Sequence, residues 1–374
     1  MLIRDLIIKG YRCFEDFSMN GLTRVNLLVG NNNSGKTSFL EAVYLLVNQP
    51  SMGTVQTTIR EIFENRGEFS QQVEMVNNQS KQIITQKFFL DRFFYGFGKN
   101  KLDKFSILGR ENSEQIKVFS FLETEELSFY YPEDVSTFND MSTSTLDWVP
   151  CAFFDFSITG IMKKQLISDF DEISTGELAL KKDFSLLIQN SFFLSNRQIS
   201  FDEIAKLWDK INLSPKEDIV IEALKIIIPD VERVGFSISP GMNTIKLKLK
   251  DQTELVPLSS MGDGMNRILT LAMALVSTEK GVLLIDEIET GLHYEAQLDM
   301  WRLVLKTAQD LDVQVFATTH SWDCIAAFKE ALQELEDQSV AKLFRLDSKY
   351  GKLRAVEYDA EEIRIAVNQG VEVR

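Results

Sequence analysis

Gly30-Asn31-Asn32-Asn33-Ser34-Gly35-Lys36-Thr37 decides how the rest of this chain is read. It matches the Gly-x-x-x-x-Gly-Lys-Thr pattern in full, a loop whose main-chain N–H groups converge on phosphate oxygens at a helix start. The flanks have the required character. Arg24 to Val29 is a short β-rich run, and Lys36 to Val47 carries Phe39, Leu40, Val43 and Leu46 at helical spacing. Gly30 and Gly35 permit close backbone approach and φ values that a side chain would forbid. Asn31, Asn32 and Asn33 tolerate left-handed geometry better than most residues. Lys36 is expected to reach the β- and γ-phosphates of ATP and the Thr37 hydroxyl to ligate Mg²⁺, with Ser34 and Ser38 completing the cradle.

Downstream, Val282-Leu283-Leu284-Ile285 is an apolar run ending in Asp286-Glu287. A carboxylate emerging there holds Mg²⁺ directly or through water. Glu287 points differently and places a second carboxylate where an attacking water stands. Leu258-Ser259-Ser260-Met261-Gly262-Asp263-Gly264 precedes an apolar helix running from Met265 to Val276. Ser260, Gly262 and Asp263 at that helix start make an anion-binding surface. Read alone, the segment is more readily an ordinary Ser/Asp cap; its place about twenty residues before the Asp-Glu pair favours the first reading. The chain has only two histidines. His320 ends the strand-like Val315-Phe316-Ala317-Thr318-Thr319, and His293 follows Thr290-Gly291-Leu292. Together these elements predict one site for ATP and Mg²⁺, with hydrolysis as the reaction.

The bulk properties agree. An apolar fraction of 44% and a charged fraction of 25% over 374 residues suit a soluble globular protein with a sizeable core, of one large domain or a few ordinary ones. A net charge of -15 excludes a surface that is basic all over, so nucleic acid would need a local basic face. Cys13, Cys151 and Cys324 form no C-x-x-C pair, which fits a reducing, cytoplasmic compartment. No run approaches the ~20 apolar residues of a membrane span, and the N-terminus lacks the apolar stretch of a signal peptide.

Along the chain, Met1 to Lys9 reads as strand, Ser51 to Gln82 as polar with loop character, and Lys104 to Leu108 and Ile116 to Phe121 as strands of a sheet beside the phosphate loop. Glu133 to Asp147 is a Ser/Thr/Asp-rich lobe boundary. Ile199 to Ile228 is helical in two pieces broken at Ser214-Pro215. Val234, Phe236 and Ile238 then face Ile245, Leu247 and Leu249 across Pro240-Gly241-Met242-Asn243, a hairpin pattern. Its other face carries Lys246, Lys248 and Lys250, either a solvated face or a phosphate-contacting stripe. From Gly281 strand and helix alternate, the pattern of a parallel sheet covered by helices. Two strands (Ala341 to Leu346, Leu353 to Tyr358) and a helix (Ala360 to Asn368) close it.

The order of motifs resembles the ABC-type ATPase heads, and among them the RecF, SMC and OLD group. Ser260-Met261-Gly262-Asp263-Gly264, Leu284-Ile285-Asp286-Glu287-Ile288-Glu289-Thr290-Gly291-Leu292-His293 and Ala317-Thr318-Thr319-His320-Ser321 are similar to the texts of stand-alone OLD-like ATPases. That resemblance implies an α/β P-loop head of two lobes with a mixed sheet covered by helices: a core lobe of residues 1–133 plus 281–374, and a second lobe of 134–280. It implies that Arg12, in Gly10-Tyr11-Arg12-Cys13-Phe14, contacts the nucleotide, that the Ser260 segment is the signature motif reaching the γ-phosphate on a second subunit, and that His320 senses that phosphate. Glu289 to His293 takes the place of the D-loop. Glu287, Lys36 and His320 are then the catalytic set, and Thr37 and Asp286 the metal ligands.

The partners the resemblance admits are a second copy of the chain, as homodimer or higher even-numbered oligomer, DNA, and a separately encoded Toprim-type nuclease, in phage defence or DNA repair. Met261 replaces the second glycine of the transporter signature. Gln49, Gln82 and Gln86 remain alternatives for the glutamine loop. About 54 residues follow His320, fewer than the ~100 of a typical added domain, so no fused nuclease is expected. The alternative function is an ATP-locked scaffold with slow turnover and no DNA binding.

Overall fold

The computed structural model describes residues 2–48, 52–75, 82–88, 90–96, 104–110, 116–124, 151–158, 161–167, 190–197, 200–237, 243–262, 264–349 and 352–371. Its centre is a six-stranded sheet made, in spatial order, of β10 (Ser191–Leu194), β14 (Val282–Ile285), β15 (Gln314–Thr318), β3 (Val25–Val29), β16 (Ala341–Lys349) and β17 (Lys352–Tyr358). The first five run parallel and β17 is antiparallel to β16, so the sheet is mixed, as expected.

The inner strands read as unbroken apolar runs because both faces are covered. On one side Val25, Leu27, Leu283, Ile285, Val315 and Ala317 pack with α5 (Met265–Ser277), α6 (Tyr294–Asp310) and α7 (Trp322–Gln333). On the other, Leu28, Leu284 and Phe316 pack with Phe39, Leu40 and Val43 of α1 (Lys36–Val47). The short α8 (Ala360–Asn368) opens with a capping box from Asp359 and Glu362.

Beyond α1 lies an antiparallel sheet with the order β2-β1-β6-β7-β8-β9: β1 (Asp5–Tyr11), β2 (Phe14–Met19), β6 (Lys104–Arg110), β7 (Ile116–Thr124), β8 (Cys151–Ile158) and β9 (Ile161–Ile167). Leu6, Ile8, Phe14, Phe17, Phe105 and Ile107 share the α1 core. Ser51 to Gln82 is not loop throughout. Met52–Arg66 forms α2, whose Ile59, Ile62 and Phe63 are fully buried; β4 (Phe69–Met75) then pairs with β5 (Gln82–Phe88). Gln82 and Gln86 lie in β5, and Gln49 falls outside the described residues.

The predicted second lobe is redrawn. Residues 133–147 lie outside the described set, but β8 continues the sheet from β7 and β10 joins the core sheet beside β14. Helix α5 also packs into the core. A unit bounded at 134 and 280 therefore divides strands that share one hydrogen-bonded sheet. What stands beside the core is α3 (Phe201–Asp209), α4 (Pro215–Leu224) and the small sheet of β11 (Val231–Ser237), β12 (Thr244–Leu249) and β13 (Val256–Pro257). The hairpin register follows the alternation, with Val234 opposite Leu247 and Phe236 opposite Ile245; on the outer face Arg233 lies opposite Lys248. Ile238 lies outside the described residues. No helix among those described is long and apolar enough to cross a membrane.

Candidate nucleotide-binding site

The core strands deliver their C-terminal ends to one place, where open α/β sheets put ligands. Strand β3 runs into the loop of residues 30–35 and the loop into α1. Two glycines there are required sterically. Gly30 has φ 149° and Gly35 has φ 91°. A Cβ on Gly30 would lie 2.6 Å from the Leu346 carbonyl oxygen, and one on Gly35 would lie 2.8 Å from Cys13 Sγ. Asn33 alone of the three asparagines is left-handed, at φ 64°, the conformation Asn tolerates. Lys36 Nζ donates to the carbonyls of Gly30 and Asn31 at 2.9 and 3.0 Å. Burial lowers its pKa, opposed by Asp286, Glu287 and Glu289.

The metal end is built from hydroxyls and a carboxylate. Thr37 Oγ1 donates to Asp286 Oδ2 at 2.9 Å. Thr318 Oγ1 donates to Asp286 Oδ1 at 2.6 Å and accepts from the Glu287 main-chain N–H at 2.8 Å. One buried threonine on β15 thus holds both acids at the end of β14. These hard oxygen donors fit Mg²⁺, which keeps waters and takes substrate phosphate oxygens besides one or two protein groups. Thr37 and Asp286 would hold it there.

Glu287 has φ 48°, a left-handed conformation uncommon for a residue with a side chain. The turn swings its carboxylate away from that of Asp286. Thr290 Oγ1 reaches Glu287 Oε2 at 3.4 Å. His320 Nδ1 stands 3.9 Å from Glu287 Oε1 and 3.8 Å from Glu289 Oε1. Glu289 also accepts from the Thr319 hydroxyl at 2.6 Å and the His320 N–H at 3.4 Å, so it sets the turn that carries the histidine. His293, by contrast, is exposed before α6, its ring against Tyr294.

Sequence reasoning assigned no individual role to Thr318, to Glu289 (named only as the start of the D-loop) or to Arg267. The first two sit inside quoted motifs. Arg267 carries no such mark: on α5 it reads as a solvated residue. Its guanidinium instead donates to the Ser195 and Asp286 carbonyls at 3.0 and 3.3 Å. Desolvation lowers its pKa to about 10, against the pull of Asp286, Glu289 and Glu287. It ties the signature helix to the ends of β10 and β14.

Arg12 lies inside the fold. Its side chain is 7% exposed, with Nε 2.7 Å from Glu41 Oε2 and Nη1 3.2 Å from Glu68 Oε2, and it lies over the Phe93 ring. Burial opposes the charge, but Glu41, Tyr11 and Glu68 outweigh it and hold the pKa above the ordinary value. The guanidinium is taken up inside the fold, leaving only Nη2 unpartnered. Ser38 is nearly buried and accepts from Arg66 Nη2 at 3.1 Å.

The signature segment is a 3₁₀ turn, Leu258–Met261, before α5. Ser260 is exposed, and its hydroxyl donates to the Pro257 carbonyl at 2.7 Å. Gly262 has φ 110°, and a Cβ there would meet nothing within 4 Å. Gly264 is tight: a Cβ would lie 2.8 Å from Leu292 Cδ2 and 3.0 Å from the Gly291 carbonyl oxygen. The turn therefore rests on the segment after Glu287. Asp263 lies outside the described residues. Among those described, no hydrogen bond joins Ser260 or Gly262 to residues 30–38. The structure gathers the phosphate loop, Asp286, Glu287 and His320, and leaves the signature turn facing outward.

With that geometry in place, comparisons with known proteins agree. The family model of the AAA ATPase domain matches residues 1–325. An ATP/GTP phosphatase of Helicobacter pylori is 26% identical over 382 residues, covering 92% of either chain. The DNA replication and repair protein RecF of Streptococcus uberis is 23% identical over 366 residues, 86% of this chain and 94% of that protein. Among solved structures, the SMC head bound to the C-winged helix domain of ScpA matches with a TM-score of 0.51 at 12% identity, covering 98% of this chain and 100% of the other. The SMC head with an extended coiled coil bound to the C-terminal domain of ScpA, derived from Pyrococcus furiosus, matches with 0.51 at 10% identity, covering 99% and 100%. At such identities the likeness is one of fold.

Proposed function

The chain belongs to the AAA ATPase domain family and is an ATPase of the RecF and SMC type; from that premise we propose that ATP closes two copies head to tail and that the closed pair engages DNA or controls a partner nuclease. In this reading Lys36 exchanges the carbonyls of Gly30 and Asn31 for the β- and γ-phosphates, a pairing of opposite charges in a partly desolvated site. Thr37 and Asp286 would hold Mg²⁺, which would supply positive charge against the phosphates. Glu287 accepts a proton as water attacks the γ-phosphorus, and ADP leaves. His320, set by Glu289, stands beside Glu287 to feel the γ-phosphate, and Ser260 with Gly262 and Asp263 caps the nucleotide of the other copy.

The observation that carries this is the Thr37–Asp286–Thr318–Glu287 chain of hydrogen bonds, which joins the phosphate loop to both acids across three strand ends. The outward signature turn supports the two-copy arrangement. The motif texts support an OLD-like affiliation and with it a nuclease partner and a role in phage defence, and the RecF relatives support a role in DNA repair. The test is steady-state ATP turnover with and without double-stranded DNA, alongside light scattering of Glu287→Gln with ATP. DNA-stimulated turnover and an ATP-dependent dimer are expected. A monomer at all ATP concentrations, or turnover indifferent to DNA, overturns the corresponding half of the reading.

A further inference from the structure

A second cavity, of about 740 Å³, runs along the outer side of β10 and includes none of the phosphate-loop or β14 acids. One wall is Tyr44 of α1 with Glu61, Glu64 and Asn65 of α2; the opposite wall is Ile204 and Leu207 of α3, with Lys206, Lys210 and the Arg197–Glu203 ion pair at its rim. The floor is the edge of the core sheet itself. Asn190 and Leu194 give their carbonyls to Val282 and Asp286 of the β14 side. In a parallel ladder this alternation turns the N–H and C=O of Ser191 and Phe193 the other way, toward the cavity. Among the described residues those groups have no main-chain partner.

We propose that this groove takes an extended peptide of a partner protein as an added strand on β10, one whose side chains alternate between basic and apolar. Main-chain pairing supplies the affinity and the two walls read alternate side chains, as in other strand-addition sites. The walls differ chemically. Phe193 lies on the α1 side, its ring 5.5 Å from that of Tyr44. There the Glu61 carboxyl accepts from the Tyr44 hydroxyl at 2.5 Å and has no cation within ion-pair distance among the described residues. Burial, then the neighbouring Glu64, holds its pKa above the ordinary range, while the Tyr44 bond and more distant Arg197 act the other way. A half-buried acid beside a second carboxylate, with no cation at ion-pair distance, favours a Lys or Arg side chain entering from that face. Phe192 lies on the α5 side, where Ile204 and Leu207 offer an apolar wall.

An edge strand this short is also a common way to blunt unwanted pairing. Such blunting usually places charge or proline on the edge, whereas β10 reads Ser-Phe-Phe-Leu. Leu194 also bonds Asp286 directly, so an added strand would lie one strand from the catalytic acids.

The test uses the full chain and a capped peptide of alternating Val and Lys, about eight residues long, followed by fluorescence anisotropy. Alternating Val/Glu and a Val/Lys peptide with a central proline are the controls. Saturable Val/Lys binding is expected, about tenfold or more tighter than either control. Glu61→Gln should lose about tenfold for Val/Lys and leave the melting temperature and basal ATP turnover unchanged. Hydrogen exchange should slow at the Ser191 and Phe193 amides on peptide addition, with Phe192 and Leu194 already protected. No saturable binding up to about 1 mM, equal binding of the proline peptide, or unchanged exchange at Ser191 and Phe193 overturns strand addition. Equal binding of Val/Glu, or of Val/Lys to Glu61→Gln, overturns the basic preference.

Discussion

The phosphate-loop half of the site and the signature turn share one chain but are built in opposite ways. Around Asp286, each carboxylate oxygen has a threonine hydroxyl, Thr318 is fully buried, and Lys36 is held by two carbonyls. At the signature turn Met261 is exposed, Gly262 has open space where a side chain would be, and Ser260 bonds only locally. In the first region Asp286, Thr318 and Lys36 are already partnered within the molecule. The second keeps its polar groups outward. In the proposed two-copy arrangement the first region is the half-site each copy completes for itself, and the second is the surface it offers to the other copy.

Changes to the braced half should produce the largest losses. Glu287→Gln keeps the size of the side chain but cannot take the water's proton, so kcat should fall by ~10²–10⁴-fold with ATP binding retained. Turnover at the wild-type rate would remove Glu287 as the base. Lys36→Ala takes away the cation facing the phosphates and should weaken ATP binding by ~10²-fold, the cost of truncating one side of a hydrogen-bonded charge pair; calorimetry with an unchanged dissociation constant would refute the placement.

Thr318→Val nearly preserves shape but leaves Asp286 and the Glu287 N–H each short of a partner. A loss of about 1–3 kcal/mol in stability is expected, together with a higher Mg²⁺ requirement. If the variant melts like wild type and needs no more Mg²⁺, the bracing role is wrong. The outward half should respond least in its own fold. Ser260→Arg should shift stability by no more than about 0.5 kcal/mol, as surface substitutions do, because nothing in the monomer occupies the space before it. A large drop in melting temperature would show that the turn is packed and not presented.

The same division governs what could be read from sequence. The core strands and α1 were legible because both faces of the inner sheet are buried and their runs are apolar without interruption, and because the glycines at 30 and 35 answer to steric demands that few sequences meet. Helix α2 was hidden: among its described side chains the buried apolar ones are Ile59, Ile62 and Phe63, too few to stand out among Thr, Gln and Glu. The place of β10 could not be inferred, since its partner β14 is distant in sequence and pairing across such separation leaves no local periodicity. The surroundings of Arg12 were not legible, because a motif position says nothing of neighbouring acids; Glu41 and Glu68, far along the chain, pair with its guanidinium. Thr318 and Glu289 were visible as letters, but their roles depend on which strand ends meet.

The central claim is that the braced half of one copy works with the outward turn of another. Mixing Ser260→Arg with Lys36→Ala tests it most directly, since the first retains an intact phosphate loop and the second an intact signature turn. Each alone should be inactive and folded, and the mixture should regain a fraction of wild-type ATP hydrolysis through one composite site. A mixture that stays inactive while both proteins remain folded and soluble, or full activity of Ser260→Arg by itself, would contradict the shared site.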